Sequence, residues 1–208
     1  MLLNKVKVAW VTGASGLLGS AISKELRDFG YKVVGQNMTK SITFNDMNII
    51  RDCRLKQKET IDKIIYNYKK LDVLVCCAGG LIKEPNLESE TILEAVNKNL
   101  FTAVNCVQAA LPYLSAGAKI IFIGSDIVNK PRKGQLCAYT ISKAALHQYT
   151  ICLAGMLENQ GIFVNCVAPG TIVEHPKSGL ATVNDFVNVV LKTLSSEKTG
   201  EIIEVPPQ

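Results

Sequence analysis

The stretch Val6-Lys7-Val8-Ala9-Trp10-Val11-Thr12-Gly13-Ala14-Ser15-Gly16-Leu17-Leu18-Gly19 decides how the rest of the chain is read. A short apolar run, Val6 to Thr12, ends in a turn carrying three glycines. Leu17, Leu18, Ala21, Ile22, Leu26 and Phe29 then follow at helical spacing, and Gly30 closes that helix. Gly13 allows a tight turn, Gly16 lets the backbone approach a pyrophosphate, and Gly19 lets helix and strand pack closely. The start of the helix offers free N–H groups and a positive dipole end. A purely structural turn is the alternative. As a binding unit, its candidate phosphate contacts are Gly13, Ser15, Gly16, Leu17, Leu18 and Gly19.

Outward from this unit, strand-like and helix-like stretches alternate. Strands are predicted over Lys32 to Gln36, near Asn48 to Cys53, and over Val73 to Cys77, Lys119 to Gly124, Phe163 to Ala168 and Glu201 to Val205. Ile61, Ile64, Ile65 and Tyr68 mark one helix face. Leu100, Ala103, Val104, Val107, Leu111 and Leu114 mark a helix that Asn99 begins. Further helices are predicted over Tyr139 to Asn159, ended by Gly161, and Val183 to Leu194. The strands are continuous apolar runs, which implies a parallel sheet covered on both faces. The expected fold is therefore α/β: a Rossmann-type doubly wound parallel sheet that binds its ligand at the carboxyl ends of the strands. One domain over residues 1–208 is expected, since that length leaves little room for a second.

Composition narrows the function classes. Apolar residues at 48% and charged residues at 20% suit a globular protein with a buried core. The net charge of +5 comes from scattered basic residues; the tightest group, Lys130-Pro131-Arg132-Lys133, reads as a solvated loop, so no nucleic-acid partner is expected. No segment approaches the ~20 apolar residues that cross a bilayer, and Met1 to Lys7 lacks the apolar core of a signal peptide. No membrane partner is expected. The seven cysteines show no paired CxxC spacing and several lie in apolar runs, as expected of buried thiols in a reducing cytoplasm. Two isolated histidines, His147 and His175, suggest no metal site, and His147 is expected at the surface or an interface of its helix.

Cofactor preference should be written at the end of the second strand. A carboxylate there binds an adenosine ribose diol and repels a 2′-phosphate, and the position falls at Gln36-Asn37, where no acid is present. The reading favours NADP(H) over NAD(H), with Lys40 and Ser41 as candidate phosphate contacts. Asp52 either meets the adenine amino group or caps a strand end.

Tyr139 and Lys143 are four residues apart on a predicted helix, so both side chains share one face. A neighbouring ammonium lowers a phenol pKa from its ordinary ~10 and lets the pair pass a proton to a carbonyl oxygen while hydride arrives at carbon. Gly124-Ser125-Asp126 ends the preceding strand, and a serine hydroxyl there can hydrogen-bond that carbonyl. Asn99 is a helix cap or holds a water in a proton path to the lysine.

Taken in order, TGASGLLG at 12–19, AGG at 78–80, Asn99-Leu100, Ser125, YTISK at 139–143 and APG at 168–170 resemble the short-chain dehydrogenase/reductases, and the resemblance covers nearly the whole chain. It implies a sheet of about seven strands, a nicotinamide cofactor and a Ser–Tyr–Lys–Asn set: Tyr139 as general acid/base, Ser125 orienting the carbonyl, Lys143 lowering the tyrosine pKa and holding the nicotinamide ribose, and Asn99 supporting a water relay. It also implies cofactor contacts at Asn37, Asp52, Ala78, Gly79, Gly80, Tyr139, Lys143, Pro169, Gly170, Thr171 and Ile172, a small-molecule substrate, and a homodimer or homotetramer. Ser125 stands fourteen residues before Tyr139, where the family commonly has thirteen, and that position is Asp126; either residue can take the serine's place. A short substrate lid is expected over 171–182.

Some segments, Val75-Cys76-Cys77-Ala78-Gly79-Gly80, Ala144-Ala145-Leu146-His147-Gln148 and Leu153-Ala154-Gly155, are similar to the dihydropteridine reductases, which implies a pteridine-type imine as one substrate class. The alternative to an enzyme is a catalytically silent dinucleotide-binding sensor or assembly subunit.

Overall fold

A computed structural model describes residues 6–38, 45–83, 88–130 and 136–207. Its core is a seven-stranded parallel sheet in the order β3-β2-β1-β4-β5-β6-β9. These strands are β1 (Val8–Thr12), β2 (Lys32–Asn37), β3 (Met47–Ile50), β4 (Val73–Cys76), β5 (Lys119–Ile123), β6 (Phe163–Ala168) and β9 (Ile202–Glu204). Two residue pairs, β7 (Ile172–Val173) and β8 (Ala181–Thr182), form a separate small ribbon.

The apolar runs are continuous because successive side chains enter two different cores. Val8, Trp10, Leu74, Ile120, Phe122 and Val164 face one, beneath α2 (Lys58–Tyr68), α4 (Thr102–Ala110) and α5 (Cys137–Leu157). Ala9, Val11, Val73, Val75, Ile121 and Val167 face the other, beneath α1 (Leu17–Asp28) and α6 (Val183–Ser195). A strand buried on both faces cannot alternate apolar with polar. Thr182 ends β8 and caps α6: its hydroxyl accepts from the Asp185 N–H, and the Asp185 carboxylate accepts from the Thr182 N–H at 2.7 Å.

Two expectations are corrected. The third strand stops at Ile50, so Asp52 sits in the following turn and not on a strand. The helix expected to begin at Asn99 begins ten residues earlier. It runs as α3 (Ser89–Val96), a π-helical turn over Asn97–Phe101, and α4. α3 is only eight residues long, continues without a break into the π-helical turn, and has no side-chain cap to mark its start. Asn99 is therefore an interior helical residue and caps nothing.

Phe122 lies at the centre of the sheet with no exposed surface, its ring 5.6 Å from that of Tyr149 on α5. Phe122→Ala should lower the free energy of chemical unfolding by about 3–5 kcal/mol. A loss below about 1 kcal/mol would contradict the packing described.

Candidate active site

The carboxyl ends of the strands open onto a cleft of about 740 Å³. At its centre, Gly13 turns the chain with φ of +64°, and a Cβ there would stand 2.9 Å from the Ala78 backbone. Gly16 precedes α1 without a side-chain cap, which leaves the first N–H groups of the helix for a ligand. The Thr12 hydroxyl accepts from the N–H of Cys77 at 3.1 Å and of Ala78 at 3.0 Å, tying this turn to the loop after β4.

Asn99 holds that loop from the other side. Its Oδ1 accepts from the Gly80 N–H at 2.9 Å, and its Nδ2 donates to the Gly80 carbonyl and to the Ser142 hydroxyl, each at 3.1 Å. Ser142 in turn donates to the Tyr139 carbonyl at 2.7 Å. Asn99 is buried behind the loop and does not line the cleft.

α5 brings Tyr139 and Lys143 into the cleft together. The Lys143 ammonium donates to the Ile123 carbonyl at 2.7 Å and stands 5.8 Å from the Tyr139 ring centroid. Burial holds the Lys143 pKa below the ordinary lysine value. Burial also raises the Tyr139 pKa; the hydrogen bond with the Ser125 hydroxyl works against that, and the Asp126 carboxylate adds to it. The sequence led us to expect a phenol made more acidic by Lys143. In the structure burial is the largest influence on the phenol and raises its pKa. Ser125 lines the cleft beside Tyr139, whereas Asp126 pairs with Lys130 and packs on Gly170, outside the lining.

The adenosine end of the cleft is lined by Asn37, Met38, Arg51, Asp52, Cys53 and Arg54. Asp52 pairs with Arg54 at 2.6 Å, and Arg51 pairs with Glu59 at 2.7 Å. Gln36, one residue before Asn37, is fully satisfied: it accepts from the Trp10 indole and donates to the Arg51 carbonyl and the Gln57 carboxamide. By contrast, both polar atoms of the Asn37 carboxamide and the Arg51 Nε are buried with no hydrogen-bond partner among the described residues. Leaving buried polar atoms unpaired costs roughly 1–3 kcal/mol each. Unpaired atoms at one end, glycines that bring the backbone close in the middle, and a phenol and ammonium at the other end fit an extended dinucleotide.

Ala78, Gly79, Gly80, Pro169, Gly170 and Ile172 line the cleft; Thr171 is exposed and does not. Lys40 and Ser41, and Pro131 to Lys133 of the basic loop, lie outside the described residues. Among the described residues there is no group of side chains that could hold a metal, and no helix is long and apolar enough to cross a membrane. The cysteines are free; Cys53, Cys76, Cys106 and Cys166 are buried, while Cys152 is exposed.

His147 corrects another expectation, for it points inward. It is buried, its Nε2 accepts from the Ser125 N–H at 3.4 Å, and a Cβ on Gly124 would collide with its ring. Its place four residues after Lys143 was the available signal, since that spacing puts both on one helix face. Lys98, also in the cleft lining, carried no such sign.

A seven-stranded parallel sheet with a glycine-rich phosphate turn and a Ser-Tyr-Lys cluster at its carboxyl edge defines a dinucleotide-dependent class of α/β protein. Residues 7–178 match the short chain dehydrogenase family model. The chain is 32% identical over 185 residues to the 3-oxoacyl-[acyl-carrier-protein] reductase of Rickettsia typhi, covering 80% of this chain and 73% of that one. A short chain dehydrogenase from Burkholderia cenocepacia, solved in complex with NADP, is 25% identical with a TM-score of 0.86 over 98% of both chains. The fold is shared by the NADH-dependent reductase A1-R′ of alginate metabolism, 21% identical with a TM-score of 0.87 over 97% of this chain and 96% of that one. The chain belongs to the short-chain dehydrogenase/reductase family and is an NAD(P)-dependent enzyme of it.

Burial, followed by the positive charge of Lys143, holds the His147 pKa below that of a free imidazole, while Glu204 pulls it the other way. A depressed native pKa adds stability above the unfolded value of ~6.5, and that stability is lost as pH falls through the native pKa. The melting temperature of the wild type should therefore fall more steeply between neutral and mildly acid pH than that of His147→Gln. Parallel curves would contradict a buried neutral imidazole.

Proposed function

We propose that the protein moves hydride between NAD(P)H and a small carbonyl or hydroxyl substrate, with Tyr139 as general acid/base. The observation that carries this reading is the gathering of Ser125, Tyr139 and Lys143 in the same cleft as the uncapped start of α1. The bound nicotinamide supplies or takes the hydride. Ser125 donates its hydroxyl hydrogen to the substrate oxygen and sets its direction. Tyr139 gives that oxygen its proton during reduction and removes it during oxidation. An ammonium has three N–H bonds, and the Ile123 carbonyl takes one from Lys143; the rest remain for the nicotinamide ribose and for stabilising the phenolate as it forms. Asn99 acts through the loop, fixing Gly80 and the turn of α5 that carries Tyr139.

NADP(H) is the favoured cofactor. Asn37 brings no charge to repel a 2′-phosphate, and Arg51 and Arg54 stand at the same end of the cleft. The pairing of β7 with β8 closes segment 171–182 at its base and Lys177 bridges Leu180 near its tip, so this short lid would shape a pocket for a small molecule. Phe101, Ile141 and Ile151 are exposed on the helical rod and α5, which supports a homodimer or homotetramer built there. The free thiols suit a cytoplasmic setting.

Tyr139→Phe tests the assignment. Turnover on a panel of small ketones and quinonoid dihydropteridine should fall at least ~100-fold, the usual scale of lost general acid catalysis, while NADPH binding persists. Turnover close to wild type would remove Tyr139 from the chemistry. A wild type that binds cofactor tightly yet turns over nothing in the panel would favour the silent sensor.

A further inference from the structure

Among the described residues, four cationic side chains line the cleft: Arg51, Arg54, Lys98 and Lys143. Three are committed. Arg51 pairs with Glu59, Arg54 with Asp52, and Lys143 donates to the Ile123 carbonyl. Lys98 differs: among the described residues its ammonium has no hydrogen bond and no carboxylate within ion-pairing distance. Glu94, one turn earlier, also lines the cleft but forms no ion pair with it.

The position of Lys98 is built. The π-helical turn over Asn97–Phe101 carries it next to Asn99, and the two residues straddle Gly80. The Asn99 carboxamide bonds both the N–H and the carbonyl of Gly80. Lys98 lies along the same glycine, its Cε and Nζ at 3.1 and 3.3 Å from where a Cβ would stand. Any side chain at position 80 would crowd the ammonium. The Thr102 hydroxyl donates to the Lys98 carbonyl at 3.0 Å, which helps hold this turn against the loop. The loop is tied to the glycine turn through Thr12, so the uncommitted ammonium and the uncapped start of α1 belong to one wall of hydrogen-bonded backbone.

We propose that Lys98 is a cofactor-binding residue whose ammonium pairs with a phosphate of the bound dinucleotide. The helix start contributes only partial charges. Lys98 adds a full one, on a half-buried stem whose tip remains solvated until the ligand arrives. The inference rests on the cofactor reading above. The phosphate concerned is either the pyrophosphate, present in every nicotinamide dinucleotide, or the 2′-phosphate of NADP.

Calorimetric titration of wild type, Lys98→Met and Lys98→Arg with NADPH and with NADH, at low and high ionic strength, tests it. Methionine keeps the stem, so the variant should melt where the wild type does. Loss of a charge-assisted hydrogen bond should weaken binding about ten-fold at low salt, flatten the salt dependence, and be largely restored by arginine. Equal loss for both cofactors identifies the pyrophosphate, and loss confined to NADPH identifies the 2′-phosphate. A folded Lys98→Met with unchanged affinity for both overturns the role of Lys98 and leaves the cofactor reading intact. A wild type that binds neither cofactor overturns both.

Discussion

The structure depends on one close approach: the backbone of Gly13 against Ala78, locked by the Thr12 hydroxyl accepting from two successive N–H groups. Only a residue without a Cβ, free to take a positive φ, permits it. From there hydrogen bonds run without a gap, through the loop to Gly80, from Gly80 to Asn99, from Asn99 to Ser142, and from Ser142 to the Tyr139 carbonyl. The glycine turn and the helix that carries Tyr139 are thus parts of one framework. Their separation is set by buried polar bonds, which hold geometry more strictly than apolar contact does.

The two ends of the cleft are unlike in a way that bears on function. At the catalytic end the buried polar groups have partners: Lys143 on Ile123, Ser125 with Tyr139 and Ile127, His147 on the Ser125 N–H. At the end lined by Asn37 and Arg51, the Asn37 carboxamide and the Arg51 Nε have none among the described residues, although Gln36 beside them is completely satisfied. Unpaired buried groups are a cost that native proteins rarely retain, and a cofactor that supplies the missing partners removes it. On the proposed reading, the geometry around Tyr139 is preorganised, whereas the end at Asn37 would complete its hydrogen bonding when a dinucleotide binds.

Much of this was legible in the residues. Continuous apolar strands, the glycine turn and the Tyr139–Lys143 spacing give the doubly wound sheet and the reacting pair, because period and spacing are local. The start of α3 was not legible, since this eight-residue helix has no capping side chain and runs straight on into the next turn. Asn99 was therefore open to reading as a cap or as a water-holding residue; it is an interior residue whose carboxamide grips a distant loop. The inward turn of His147, the uncommitted charge of Lys98 and the raised Tyr139 pKa depend on what packs nearby in three dimensions. Ser125 and Asp126 could not be separated by counting from Tyr139. The short 3₁₀ turn Asp126–Asn129 separates them, keeping Ser125 in the cleft lining and pairing Asp126 with Lys130.

The central claim is that this framework is assembled around a nicotinamide dinucleotide, and a thermal-shift titration of the wild type with NADPH and NADH side by side tests it most directly. A ligand at 100 times its dissociation constant stabilises the native state by ~2.7 kcal/mol, a readily visible rise in melting temperature. The account predicts that rise with a nicotinamide dinucleotide, larger for NADPH than for NADH. No shift with either cofactor, reduced or oxidised, would contradict it.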